Sequence, residues 1–385
     1  MQPPGPGTFA RVLGFAARFA PKLFRRWYFP RVGERLSTAY IGNVFEVSLD
    51  VRDERLVVFS DHHKGKRDGA DDFWRCEPAY CAALGYYLVE GYKLCVLGDA
   101  EEFWECLPEE VMRKYKDVLA LEQEFQQQPG RYFRCWGNHD FDWHDPVVVA
   151  DHLGNQLPGV EVREGLRLTL TTAGEPLGQV FLVHGHQGTI DSDQLKNLSK
   201  RVVREGHAPL QRLRNKPSTT PARDWRLRDA HSEAMYTWAA ERSRSEKLLL
   251  IAGHTHEPVF SRPRATGDPE RVDQAAELSS GEGGADARTE ATAWSRSEQE
   301  ALNAKDPTRA TPSLRYTEMD VACYFNTGCC SFGDGSVSGL EIVDGKIRLV
   351  SWPWPWGNGA PVRVTLDEAD LGELFDSLPG AAPSG

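Results

Sequence analysis

Apolar residues in this chain fall into short runs separated by stretches with helical spacing, and this alternation starts at about residue 44. Leu56–Phe59 is a continuous apolar run of strand length, and Tyr92–Leu97 and Tyr132–Trp136 repeat the pattern. Between them, Asp71–Glu90 places Phe73, Trp74, Tyr80, Leu84 and Leu88 on one helical face, and Pro108–Gln127 reads as a second helix with Pro108 in its first turn. Residues 160–172 and 178–183 predict two strands around the turn Ala173-Gly174-Glu175-Pro176. Further strands are expected at Leu248–Ala252, Val321–Phe325, Gly339–Val343 and Lys346–Ser351, with Asp344-Gly345 as the hairpin turn between the last two. Strands alternating with helices point to an α/β architecture.

Three stretches break this rhythm. On a helical wheel, residues 8–28 put Arg11, Arg18, Lys22, Arg25 and Arg26 on one side. Phe9, Val12, Leu13, Ala16, Phe19, Ala20, Leu23, Phe24 and Trp27 fall on the other. That is the pattern of a basic amphipathic helix on an anionic membrane surface, and its alternative is a helix packed on the main domain with its cations in water. Residues 190–246 are polar, largely helical and arginine-rich, interrupted at Pro217 and Pro221, and are read as a helical cap. Residues 263–313 carry almost no large apolar side chains and so cannot offset the entropy of ordering; they are expected to be a disordered insertion. The chain therefore divides into an N-terminal extension (1–43), a main domain (44–356) containing both insertions, and a C-terminal tail (357–385). Trp352-Pro353-Trp354-Pro355-Trp356 is expected to pack against the domain.

A hydrophobic content of 40% is enough for a sizeable core, and a net charge of −11 argues against general nucleic-acid binding. The eight cysteines lack zinc-ribbon spacing, and runs such as Leu94-Cys95-Val96 suggest buried free thiols in a reducing compartment. No apolar run approaches the roughly 18 residues a membrane span needs. The opening Met1-Gln2-Pro3-Pro4-Gly5 lacks the positive charge of a signal peptide. The expected location is cytoplasmic, with peripheral membrane contact through residues 8–28.

Candidate chemistry sits mostly where apolar runs end. Ser60-Asp61-His62-His63 follows Leu56–Phe59, Gly98-Asp99 follows the next run, and Gly137-Asn138-His139-Asp140 follows the third. His184-Gly185-His186 and Gly253-His254-Thr255-His256 complete the set. Residues at strand carboxyl ends in an open α/β sheet converge on one crevice. Asp61, His63, Asp99, Asn138, His184, His254 and His256 together form an O/N donor set suited to Mn, Fe or Zn and poorly suited to Ca. Two such ions roughly 3.5–4 Å apart can hold a bridging hydroxide and polarise a phosphoryl oxygen, which points to phosphate ester hydrolysis.

Asp61-x-His63, Gly98-Asp99-x-x-Glu102, Gly137-Asn138-His139-Asp140, His184 and Gly253-His254-x-His256 resemble the full signature of the calcineurin-like metallophosphoesterases. The resemblance implies a two-sheet β-sandwich flanked by helices, with a binuclear centre at one edge. It assigns one metal to Asp61, His63, Asp99 and His256 and the other to Asp99, Asn138, His184 and His254, with Mn the first choice and Fe or Zn the others. His139 would contact the phosphate or protonate the leaving group, oriented by Asp140, and Glu102 would orient a ligand or close a core hydrogen bond. Gly98–Trp104 and Gly253–Pro258 are most similar to the branch holding the UDP-2,3-diacylglucosamine pyrophosphatases, which has His-Gly-Asp where this chain has His184-Gly185-His186.

His62, His186, Arg201 and Arg204 are added as substrate-binding candidates, the arginines because guanidinium matches phosphate bidentately. The favoured activity is hydrolysis of a phosphodiester or pyrophosphate in a small or lipid-linked molecule. The alternatives are a protein or phosphomonoester phosphatase, and a non-catalytic scaffold of the same fold. The scaffold reading is disfavoured because all seven ligands and His139 are present.

Overall fold

The structure is a computed structural model and describes residues 21–189, 225–263, 315–353 and 360–379. Fourteen strands among them are β1 (Val44–Asp50), β2 (Leu56–Phe59), β3 (Lys93–Leu97), β4 (Tyr132–Cys135), β5 (Val162–Arg163), β6 (Gly165–Thr172), β7 (Glu175–Val183), β8 (Leu248–Ala252), β9 (Pro258–Pro263), β10 (Arg315–Met319), β11 (Tyr324–Thr327), β12 (Val337–Val343), β13 (Lys346–Trp352) and β14 (Val364–Asp370). The principal helices are α1 (Pro21–Tyr40), α2 (Glu77–Val89), α3 (Pro108–Lys114), α4 (Lys116–Gln126), α5 (Trp225–Glu246) and α6 (Leu371–Ser377).

The strands form two seven-stranded sheets, ordered β14-β13-β12-β2-β3-β4-β5 and β1-β6-β7-β8-β11-β9-β10. Leu56, Val58, Cys95, Leu97 and Phe133 of the first sheet share one buried core with Leu166, Leu168, Val180 and Leu182 of the second, so the sheets pack face to face. The opposite face of the first sheet, Val57, Phe59, Leu94 and Val96, is covered by α2, α3 and α4. This explains why β2 and β3 read as continuous apolar runs: both of their faces are buried. On the outer side of the second sheet, Phe181 of β7 packs edge-on against Tyr40 of α1 at 5.2 Å and meets Trp238 of α5 at 5.9 Å. The result is a mixed α/β sandwich flanked by helices, as expected.

Parallel pairing of β2 with β3 and of β3 with β4 sends three carboxyl ends to the same edge. Parallel pairing of β7 with β8 does the same in the other sheet. The backbone N–H of Gly253 donates to the His184 carbonyl at 2.9 Å, and that of Cys330 to the Ser60 carbonyl at 3.0 Å. The first contact joins neighbouring strand ends within the second sheet, and the second fastens the two sheets together at this edge.

Several boundaries differ from the sequence reading. The helix expected from Asp71 begins only at Glu77, because the Asp71 carboxylate accepts the N–H groups of Phe73 and Trp74 and holds a 3-10 turn first. The helix expected over 108–127 divides at Tyr115, whose hydroxyl donates to Asp71 at 2.6 Å. The residues after 357 are not a bare tail in their described part. β14 pairs antiparallel with β13, and Leu371, Leu374 and Phe375 of α6 are buried, with Phe375 lying where Gly178 leaves room. The exposed acidic positions of this strand hid it.

Within the wheel drawn over 8–28, residues 8–20 lie outside the described residues. From 21 onward the helix packs on the domain through Phe24, Tyr28, Val32 and Leu36, whereas Leu23 and Trp27 face solvent at 70% and 48% exposure. Most of the cap, 190–224, and nearly all of the low-complexity insertion also lie outside, as do Trp354 and Trp356. The eight cysteines are all free thiols, and seven of them are buried. No helix among the described residues is long and apolar enough to cross a membrane.

Candidate metal centre

Five of the seven predicted ligands occupy left-handed backbone conformations, with φ of 55° at Asp61, 52° at His63, 49° at Asp99, 66° at His254 and 57° at His256. Such φ values are uncommon outside glycine and concentrate at functional sites, where the surrounding structure enforces them. Here the enforcement comes from the strand ends. The N–H groups of Asp61 and His63 donate to the carbonyls of Gly98 and Asp99 at 3.1 and 2.9 Å, and the N–H of His254 donates to the Asp61 carboxylate at 2.9 Å. Small residues let these turns come close. A Cβ on Gly137 would lie 2.1 Å from Oδ1 of Asp99, and one on Gly98 would lie 2.7 Å from the His184 ring.

The side chains converge as two neighbouring groups: Asp61, His63 and His256, and Asp99, His184 and His254. Nε2 of His256 lies 3.2 Å from Oδ1 of Asp61 and 3.0 Å from Nε2 of His63. Asp99 stands between the groups. Its Oδ2 is 3.1 Å from Nε2 of His184 and 4.0 Å from Nε2 of His63, while its Oδ1 accepts the N–H of His139 at 2.8 Å. His184 donates through Nδ1 to the Leu97 carbonyl at 2.9 Å, which turns Nε2 toward Asp99.

These residues fit divalent cations. Asn138 Oδ1 and Nδ2 and His254 Nε2 are buried without a hydrogen-bond partner, an arrangement that is costly unless a ligand satisfies it. Burial opposes the charge on Asp99, yet the imidazoles of His184 and His139 hold its carboxyl well below the usual carboxylate range. Burial likewise opposes protonation of His63 and His184, but the surrounding carboxylates raise them to about 10 and about 9. The carboxylates thus favour positive charge at this place, and a bound cation would displace the imidazole protons. Burial and the neighbouring His184 keep His254 well below its ordinary value, in the neutral form that ligation requires.

His139 is buried and its Nδ1 lies 2.6 Å from Oε2 of Glu102, which also approaches Nδ1 of His63 at 3.1 Å. Burial opposes ionisation of Glu102, but His139 and His63 bring its carboxyl down to about 2. The expectation that Asp140 orients His139 is corrected. The Asp140 carboxylate folds back onto the backbone, accepting the N–H groups of Gly137 at 2.6 Å and Ala100 at 2.8 Å. Burial and the nearby Asp99 and Glu101 push it up to about 7. Asp140 shapes the loop, and Glu102 is the carboxylate at the histidine.

His62 is corrected as well. Its neighbour His63 faces the cluster, and the His62 ring turns the other way, fully buried against Tyr80 at 4.6 Å and Phe73 at 5.6 Å. His186 does approach the centre, with its ring 5.5 Å from that of His184. Arg201 and Arg204 lie outside the described residues. Arg228, from the same basic segment, is ion-paired with Glu257 at 3.1 Å.

Residues not singled out by sequence support the site. His231 of α5 bonds the Gly185 carbonyl at 2.5 Å and the Tyr28 hydroxyl at 2.8 Å, tying α1 and α5 to the loop that carries His184. Beneath the His63 loop, Lys64 and Arg134 are buried with Glu101 and Glu122. Nζ of Lys64 is 2.9 Å from Glu122, and Nη2 of Arg134 reaches both Glu101 oxygens at 2.5 and 2.6 Å. A lone histidine at 231 carries no motif, and charged residues such as Lys64, Glu101, Glu122 and Arg134 give no sequence sign of burial.

Residues 54–258 match the family model described as calcineurin-like phosphoesterase. Among solved structures the chain is similar to a predicted phosphoesterase from Streptococcus pneumoniae TIGR4, with 12% identity, a TM-score of 0.27, and 81% of this chain and 97% of that one covered. It is also similar to a dimetal phosphatase from Danio rerio, with 11% identity, a TM-score of 0.32, and 82% and 99% covered. A third is GAP50, the anchor in the inner membrane complex of Plasmodium, with 11% identity, a TM-score of 0.33, and 86% and 98% covered. No curated protein matches the chain.

Proposed function

Since the chain belongs to the calcineurin-like phosphoesterase family, we propose that it is a two-metal hydrolase of a phosphodiester or pyrophosphate bond in a small or lipid-linked molecule. The observation that carries this reading is the position of Asp99, whose Oδ2 faces His184 on one side and His63 on the other. One carboxylate between two imidazole groups is the donor arrangement that two adjacent cations share. Asp61, His63 and His256 would hold one ion, Asn138, His184 and His254 the other, and Asp99 both. Manganese is the first choice, and iron or zinc suits the same donors. Bound ions there supply Lewis acidity toward the phosphoryl oxygens and lower the pKa of water near neutrality.

The protein's own contribution is positioning and proton supply. Glu102 fixes Nδ1 of His139, which leaves Nε2 as the ring nitrogen that would hand a proton to a departing oxygen. Glu102 then stabilises the imidazolium and selects the ring orientation. Asp140 holds the Gly137–Asp140 turn through backbone amides, which keeps Asn138 and His139 aimed at the same point.

A hydrolysis panel tests the reading. Mn-loaded protein is assayed on bis-p-nitrophenyl phosphate, p-nitrophenyl phosphate and a UDP-linked pyrophosphate, beside His139→Ala. Cleavage of the diester or the pyrophosphate supports it, and cleavage of the monoester alone favours the phosphomonoester alternative. For the peripheral membrane contact, Leu23 and Trp27 stand exposed beside the exposed Lys22 and Arg26. Cosedimentation with anionic vesicles should weaken in Leu23→Ser/Trp27→Ser, and unchanged binding would contradict a role for this face.

A further inference from the structure

The indole of Trp104 lies flat on the imidazole of His139, with ring centroids 3.7 Å apart and planes 17° from parallel. Trp104 is itself fixed at both ends. Its Nε1 donates to the Asn138 carbonyl at 3.0 Å, and its backbone N–H donates to Oε1 of Glu102 at 3.2 Å. One residue earlier, the N–H of Phe103 donates to the His139 carbonyl at 3.2 Å, and Phe103 is anchored edge-on against the buried Trp143 at 4.9 Å. The Glu102–Trp104 segment therefore grips both the backbone and the ring of His139.

From these contacts we infer that Trp104 is a positioning residue for His139, clamping the plane of the imidazole so that Nε2 keeps one direction. The other restraints on the ring do not do this alone. Glu102 holds Nδ1 by a single contact about which the ring can pivot, and His63 touches it only edge-on, at 4.6 Å and 82°. A flat aromatic surface this close blocks that pivot, because tilting the imidazole would drive it into the indole. Because Nε1 of Trp104 also holds the carbonyl of Asn138, the clamp sets His139 relative to a metal-ligand candidate and not merely relative to the fold.

The inference rests on the proposed role of His139, and the test separates the two. Steady-state kinetics on bis-p-nitrophenyl phosphate are measured for Trp104→Ala, Trp104→Phe, His139→Ala and the Trp104→Ala/His139→Ala double variant, each checked for native melting and metal content. In parallel, the 1H–13C signal of the His139 ring, assigned through His139→Ala, reports the shielding that a stacked indole imposes. The expected result is a kcat for Trp104→Ala lower by roughly tenfold with KM nearly unchanged, since small misplacements of a catalytic group are costly. Phe should restore most of it, the double variant should match His139→Ala, and the His139 signal should move downfield in Trp104→Ala. A native kcat together with an unmoved ring signal in Trp104→Ala overturns the inference, and so does a loss that adds in full to that of His139→Ala. If His139→Ala is itself fully active, the role of His139 in the reaction fails, while the ring signal still decides whether Trp104 holds the imidazole.

Discussion

Oε2 of Glu102 lies 2.6 Å from Nδ1 of His139, so the carboxylate that fixes the His139 ring comes from the loop after β3 and not from the neighbouring Asp140. The same oxygen is 3.1 Å from Nδ1 of His63. Glu102 therefore joins His139 to a metal-ligand candidate, and Glu102→Gln should disturb both. The expected loss is about 10–100-fold in metal affinity or activity, the usual range for a residue that orients a ligand. Titration calorimetry with Mn and steady-state kinetics check it, and a variant matching wild type in both would remove Glu102 from the site.

Close approach at Gly137 gives a second expectation. A methyl group there would collide with Oδ1 and the backbone N of Asp99, 2.1 and 2.6 Å away. Gly137→Ala should displace Asp99 and abolish tight binding of at least one ion while leaving the helices and most of the sheet intact. Metal content by mass spectrometry should fall although circular dichroism is retained. Native stoichiometry in a folded Gly137→Ala variant would show that the turn can yield.

Glu122 carries a stability prediction. Burial opposes its charge, but Lys64 and Arg134 bring its carboxyl down to about 2, below the ordinary value of about 4.3. A carboxyl depressed in the folded state contributes stability that is fully present above the unfolded pKa and is lost as pH falls through the folded one. Chemical denaturation should thus show stability declining from about pH 4.5 toward pH 2. Glu122→Gln leaves Lys64 and Arg134 with Glu101 alone, so at pH 7 it should cost on the order of 3–5 kcal/mol and flatten that acid-side decline. An unchanged acid profile would mean that the network contributes little.

The candidate site was legible in sequence largely because each candidate ligand follows a strand, and parallel pairing collects strand ends at one edge. His63, Asp99 and Asn138 meet for that reason, and His184 joins them from the end of β7 in the facing sheet. Trp104 on His139 and His231 on Gly185 were not legible, since both contacts join segments 35 and 46 residues apart through side-chain geometry that no spacing encodes. The Asp140 assignment failed because adjacency in sequence stood in for direction: a carboxylate next to a histidine can turn to the backbone, and here it does. In the fold, the continuous apolar strands were found, whereas β1, β9, β10 and β14 were missed. In β14 the register against β13 leaves Val364, Glu368 and Asp370 exposed and Asp367 buried, so it has neither an apolar run nor a clear alternation.

The central claim is that one carboxylate, Asp99, serves two cations, and counting bound ions tests it most directly. Mass-spectrometric metal content of the Mn-loaded protein, with activity on bis-p-nitrophenyl phosphate measured on the same samples, is compared between wild type and Asp99→Ala. The account predicts two ions per wild-type chain, fewer than two in a folded Asp99→Ala, and loss of nearly all activity with the missing ion. Full activity and an unchanged ion count in Asp99→Ala would contradict it.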